Sequence, residues 1–179
     1  MNAAVVELID RANASRFAAP EDARALLVEA VAMARSLRSG TGTGGELALA
    51  LIALAQIERD LGRLEEGLVL YSEALALHRA VGHDRAIAHT VRHVPDVKRE
   101  LGRDAQALES YREALALYRG HPKTNPLEVA NALRGMALLR ERMGEAGEAR
   151  ELWTEASALY RSSGVEAGVE ESERRLAYL

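Results

Sequence analysis

Two histidines one helical turn apart, His89 and His93, are the residues of this chain whose spacing most directly suggests chemistry. An i, i+4 pair on a helix can hold a metal ion, and a metalloprotease also needs a glutamate directly after the first histidine. Thr90 stands there instead, and the nearest further acid, Asp96, lies beyond Pro95, which disturbs the geometry. No metal and no cofactor is expected. The glycine-rich run from Ser39 to Gly45 precedes a helical pattern, and helix N-termini attract anions. It follows a helix rather than a strand and lacks a Gly-Lys-Ser/Thr ending, so it reads as a flexible connector. Tyr71, Tyr111, Tyr118, Trp153 and Tyr160 recur at helical spacing and read as packing rather than as a base-stacking platform. No serine–histidine–acid set and no carboxylate pair in a plausible cleft is present, and the expectation is a protein that is not an enzyme.

The elements that position these residues come from a repeated phrase. It reads LGRLEEGLVLYSEALALHR at 61–79, LGRDAQALESYREALALYR at 101–119 and MGEAGEARELWTEASALYR at 143–161, with a worn copy, FAAPEDARALLVEAVAMAR, at 17–35. A Glu-Ala pair keeps the register, and its alanines, Ala30, Ala74, Ala114 and Ala156, are 44, 40 and 42 residues apart. A period near forty residues is the mark of a helical repeat array. A large side chain, Leu27, Tyr71, Tyr111 or Trp153, sits three residues before each alanine, on the same helical face. A bulky knob beside a small hole is how helices of adjacent repeats pack closely.

Glycines divide each unit. Gly62, Gly102 and Gly144 follow helical patterns and suit the left-handed position that ends a helix. Asp84 and Asn125, the latter before Pro126, suit helix N-caps, and Thr43-x-x-Glu46 and Ser163-x-x-Glu166 read as capping boxes. The map is helices at 2–16, 20–38, 46–61, 64–80, 84–101, 104–119, 126–143, 146–162 and 165–178. This predicts one domain over 1–179: an all-α, right-handed α-solenoid of four antiparallel helix pairs, 2–38, 46–80, 84–119 and 126–162, plus a C-terminal capping helix at 165–178. The capping helix carries Glu166, Glu170, Glu171, Glu173, Arg174 and Arg175, the polar outer face a terminal unit needs.

Composition agrees. The chain has 179 residues with a net charge of −4, and aromatics are only 4% of it, which favours alanine- and leucine-rich helices over a β-sandwich. The mild acidity gives no whole-protein case for nucleic acid or a membrane surface. Cysteine is absent, which excludes disulfides and thiolate metal sites and fits a reducing compartment. The N-terminus, interrupted by Glu7 and Asp10, does not read as a signal peptide, and the apolar run from Leu47 to Ile57 is too short to span a bilayer. The cytoplasm is the expected location. Lys98 and Lys123 are the only lysines, so nearly all positive charge is arginine, the side chain suited to carboxylate and phosphate.

These units resemble tetratricopeptide repeats, in the longer form typified by kinesin light chains. The resemblance rests on Ala50-Leu51, Leu54-Ala55, Gly62, Gly67, Tyr71 and Ala74 in the second unit. In the third it rests on Val91, Val94, Gly102, Ala107, Tyr111 and Ala114, and in the fourth on Ala132-Leu133, Met136-Ala137, Gly144, Ala149, Trp153 and Ala156. Coverage runs from about Glu46 to Gly164, with a degenerate unit before it. Pro95 departs from the pattern, which has a small residue there, and is expected to kink or bulge its helix.

The resemblance implies a concave groove lined by the first helix of each unit. Carried over, it names Leu49, Ile52, Gln56 and Arg59 in the second unit, His89, Arg92, Asp96 and Arg99 in the third, and Asn131, Arg134, Leu138 and Glu141 in the fourth. His89 and Asn131, and Arg92 and Arg134, are each 42 residues apart, so they align across repeats. The family's clamp for acidic chaperone tails needs lysine and asparagine where this chain has Leu8, Ala12, Gln56, His93 and Gly135, so that ligand is not expected. The expected function is a protein–protein interaction scaffold that binds a peptide or partner segment, with Arg92 and Arg134 anchoring an acidic group. The bland alternative is that these arginines pair internally with Asp96, Glu128 or a neighbouring repeat. Self-association, or a small-ligand sensor on the same scaffold, are the other readings; nucleic-acid and membrane partners are not expected.

Overall fold

The computed structural model describes residues 2–38, 44–82 and 84–179. Among them the chain is all-helical: α1 Ala3–Ser15, α2 Pro20–Arg38, α3 Gly45–Asp60, α4 Leu64–Val81, α5 Asp84–Glu100, α6 Asp104–Gly120, α7 Pro126–Arg142, α8 Ala146–Ser162 and α9 Glu166–Tyr178. Two compact units are present, Met1–Thr90 and Val91–Leu179. In the first, α3 packs against α1, α2 and α4; in the second, α7 packs against α6 and α8, and α9 lies on α8.

The central helices explain this placement. On α3, Leu47, Ala48, Leu51, Leu54, Ala55 and Ile57 are buried on nearly every side, which marks a helix enclosed by others. On α7, Ala130, Ala132, Leu133, Met136, Ala137 and Leu139 play the same part. The outer helices bury one stripe each, and that stripe is the repeated knob and hole. Leu27 with Ala30, Tyr71 with Ala74, Tyr111 with Ala114, and Trp153 with Ala156 are all fully buried. Burying one such large side chain contributes about 1.5–3 kcal/mol.

The joints between paired helices share one geometry. At Gly102 φ is 73°, a conformation that costs other residues about 1–2 kcal/mol. It lets the Arg103 amide donate to the Lys98 carbonyl at 2.8 Å and the Gly102 amide to the Arg99 carbonyl at 3.1 Å, which satisfies the open end of α5. Gly62 and Gly144 make the same turn. So does Gly164, where the Val165 amide donates to the Tyr160 carbonyl at 3.0 Å. The capping box expected at Ser163 is therefore corrected: Ser163 ends α8, and α9 starts after Val165 without a side-chain cap.

Asn125 caps α7 as expected, its Oδ1 accepting from the Leu127 amide at 3.0 Å with Pro126 in the first turn. Asn2 does the same for α1, accepting from the Ala4 amide at 3.0 Å. The connector at Ser39–Gly45 and the capping box at Thr43 fall largely on 39–43, and the cap at Asp84 on a side chain, outside the described residues. α5 stays α-helical through Pro95, which is buried, as are Val91, Val94 and Val97 of the same helix.

Two joints carry a buried charge that no hydrophobic pattern reveals. Glu58 of α3 is 2% exposed and accepts from Arg24 at 2.8 Å and Arg63 at 3.5 Å. Arg140 of α7, at the equivalent place and 4% exposed, pairs with Glu145 and with Glu148, the latter at 2.8 Å. The same joint is thus built with the charges exchanged.

A tight seat in the second unit is Gly135, where an added Cβ would stand 2.5 Å from the Tyr111 Oη and 2.6 Å from its Cε1. Gly135→Ala is expected to lose roughly 1–3 kcal/mol of stability in urea denaturation. Gly147 on exposed α8 has open space around it, so Gly147→Ala should instead gain up to about 1 kcal/mol. Equal effects from the two variants would contradict the packing account.

Candidate functional site

Each unit presents its own set of the residues singled out by the repeat. In the first, Leu49, Ile52, Gln56 and Arg59 lie on α3 and His89 on α5. Leu49 is 45% exposed, unusual for a large apolar side chain on so buried a helix. With Ile52, Gln56 and the α1 residues Val6, Ile9 and Asp10 it lines a cleft of about 260 Å³. Gln56 accepts from Arg16 Nη1 at 3.2 Å, which fixes the amide at the cleft's edge. The α1 contribution was missed, although Val6, Ile9 and Asn13 follow helical spacing along one face.

In the second unit α5 supplies Arg92, Asp96 and Arg99, and α7 supplies Asn131, Arg134, Leu138 and Glu141. Arg134 grips Glu171 of α9 with two parallel bonds, Nε to Oε2 at 2.6 Å and Nη2 to Oε1 at 2.9 Å. Glu141 accepts from the Trp153 indole and from Arg175 Nη1, the latter at 2.9 Å. Asp96 accepts from the Tyr111 hydroxyl, and Asn131 Oδ1 accepts from the Tyr160 hydroxyl at 2.9 Å. Leu138 is half-buried on the same helix. Arg99 stands 3.8 Å from Glu100, and its carbonyl accepts from Arg142 Nη1 at 2.7 Å.

Arg92 differs from these. Its Nη2 lies 3.1 Å from the His93 Nε2, and among the described residues it makes no ion pair with a carboxylate. Its Nε is buried without a hydrogen-bond partner, and the buried hydroxyl of Tyr118 lies beside the same guanidinium, which acts on it as a hydrogen-bonding cation. Arg92 itself is half-buried, so the outer donors of its guanidinium stay within reach of a carboxylate or phosphate oxygen. Among the described residues no group of three histidines and acids is arranged to hold a metal. His93 is buried, with its Nε2 facing the Arg92 guanidinium.

The tyrosines report how close these charges stand. Burial pushes the Tyr160 hydroxyl up to about 12; Arg134 and Arg92 pull it down while Glu171 and Asp96 push it up. Four charged groups from α5, α7 and α9 thus surround one phenol. Burial likewise pushes Tyr118 up to about 12, with Arg92 opposing and Glu128 reinforcing. Tyr111 is held protonated well above the ordinary tyrosine range by burial first and by Asp96 second. Pairing with Glu171 raises the Arg134 pKa further, against the effect of burial. The tyrosine rings are packing, as expected, but the hydroxyls of Tyr111 and Tyr160 bond into the arginine face and Tyr118 lies beside Arg92, a role that ring spacing does not reveal.

A pH dependence follows. Because the folded pKa is above the unfolded value of 10.0, these phenols contribute fully below about pH 10, and that stability is lost as pH rises toward about 12. Urea midpoints are expected to fall across that window, and part of the fall should vanish in Tyr118→Phe/Tyr160→Phe. A variant with an unaltered pH profile would contradict this.

Residues 46–120 match the tetratricopeptide repeat family. No curated protein sequence matches the chain. Among solved structures, aspartyl phosphate phosphatase F from Bacillus subtilis is similar with a TM-score of 0.82 at 12% identity, over 97% of this chain and 45% of that one. The chain thus spans less than half the length of that phosphatase. BtubC from P. vanneervenii is similar with a TM-score of 0.68 at 17% identity, over 98% and 89%. A protein of Podospora anserina described as a kinesin light chain with nearly identical TPR-like repeats gives 0.70 at 14%, over 97% and 93%. At these identities the likeness shows the fold, an all-helical repeat solenoid. Among the described residues no helix is long and apolar enough to cross a membrane. The repeated knob-and-hole helices, the glycine joints, the match and these structures agree: residues 46–120 are tetratricopeptide repeats, and the chain has the fold of tetratricopeptide-like repeat structures.

Proposed function

We propose that this chain is a non-enzymatic interaction scaffold that docks an acidic segment of a protein partner on the α5–α7 face of its second unit. Tetratricopeptide repeats generally mediate protein–protein interactions. The observation that carries the finer reading is Arg92, a half-buried guanidinium without a carboxylate partner among the described residues. Asn131 uses its Oδ1 on Tyr160, which leaves its NH₂ group to donate outward. Leu138 adds apolar contact on α7.

The mechanism is docking onto a surface that is already ordered. Tyr111, Tyr160 and Trp153 fix Asp96, Asn131 and Glu141 before any ligand arrives, so little receptor entropy is lost on binding. Arg92 sits on a helix, and its forked donors match a carboxylate. The first unit has its own apolar cleft at Leu49 and Ile52, with Gln56 as a polar neighbour.

Fluorescence anisotropy with a labelled hexaglutamate peptide tests the reading. Arg92→Glu is expected to weaken binding by roughly tenfold or more, the scale of losing a charge-assisted contact. Arg112→Glu, on an exposed position of α6, should change it little. Affinity should also fall with added salt. Absence of binding, or equal loss in both variants, would contradict the acidic-ligand reading and leave self-association to be examined by sedimentation.

A further inference from the structure

We infer that Glu171 is a tethered competitor for the acidic ligand, so that the capping helix α9 sets the affinity and the specificity of the arginine face. The inference rests on the acidic-ligand reading above. The two parallel bonds from Arg134 to Glu171, at 2.6 and 2.9 Å, are the contact a ligand carboxylate would itself make with that guanidinium. The contact is open to exchange, since the Arg134 side chain is 41% exposed and that of Glu171 20%.

Charge balance gives the competition its direction. Around the Tyr160 hydroxyl stand Arg92 and Arg134 on one side of the balance, and Asp96 and Glu171 on the other. The set is neutral as it stands. A ligand carboxylate at Arg92 leaves it one charge negative, with Glu171 among the repelled groups. If Glu171 swings away, Arg134 is released to take a second carboxylate. The face therefore favours a ligand with two neighbouring acidic side chains over one with a single acid, because only the former replaces what Glu171 supplied.

The attachment of α9 allows this without unfolding the unit. Its buried residues are Gly168, Val169 and Ser172, and Gly168 seats against the Tyr160 ring, where a Cβ would fall 2.5 Å from Cγ. Glu171 is not part of that seat. Arg175 to Glu141 at 2.9 Å and Arg161 to Glu173 at 2.7 Å hold α9 independently of Arg134. A side-chain rotation of Glu171 suffices to free the arginine while the helix stays docked.

The labelled hexaglutamate peptide distinguishes this from a structural role for Glu171. Glu171→Gln keeps the size and one acceptor oxygen but removes the competing charge. It is expected to bind about threefold to tenfold more tightly than the natural chain, because apparent affinity scales with the fraction of protein whose site is free. Arg175→Gln also removes an ion pair between α9 and α7 but leaves Glu171 on Arg134, and it should leave affinity within about twofold, no more than a rim ion pair contributes. Glu171→Gln/Arg134→Gln should lose the gain. Unchanged or weaker binding by Glu171→Gln, or equal tightening by Arg175→Gln, would overturn the competition while binding through Arg92 stood. Absence of probe binding in every variant would overturn both readings together.

Discussion

The constraint on which the rest depends is the interlock of one bulky side chain with one alanine on each outer helix. Tyr71, Tyr111 and Trp153 are fully buried with Ala74, Ala114 and Ala156. A protein interior is packed as densely as an organic crystal, so a ring of that size admits few alternatives. In the second unit the same side chains also set the polar face. The Tyr111 hydroxyl reaches Asp96 of α5, and the Trp153 indole reaches Glu141 of α7. The apolar body fixes the distance between helices while the polar tip fixes the carboxylates of the inner helix. Packing and site geometry are thus one device rather than two.

The charges follow a comparable economy. Glu58 with Arg63 and Arg140 with Glu145 occupy equivalent joints with opposite signs, so what the joint requires is a complementary pair rather than a given residue. In the third joint Lys98 donates instead to the Ser110 hydroxyl at 2.9 Å. On the arginine face the same substitution of partners has a functional consequence. Arg134 has a carboxylate from α9, whereas Arg92, one repeat earlier, meets the imidazole of His93 and a nearby phenol but no carboxylate among the described residues. Two arginines aligned by the repeat therefore differ in what a ligand can do with them.

The helices, their glycine joints and the knob-and-hole pairs were legible because three units in register multiply signals that are weak one at a time. Ser163 misled for the opposite reason: a serine followed by Glu166 matches a capping box, but Gly164 closes the joint with backbone bonds and α9 begins only after Val165, without a side-chain cap. Glu171 was not legible as a partner. It lies on a terminal helix that has no counterpart in the other units, and a contact 37 residues away from Arg134 has no periodicity to betray it. The tyrosine hydroxyls were hidden by their own rings, since helical spacing predicts where a side chain is buried but not what its far end bonds.

The most direct test is a nuclear magnetic resonance titration that follows the arginine Nε–Hε signals while hexaglutamate is added. The account predicts that the Arg92 and Arg134 signals move together and saturate, with that of Arg112 on α6 unmoved. Shifts confined to arginines of α6 and α8, or an Arg92 signal that never responds, would contradict it.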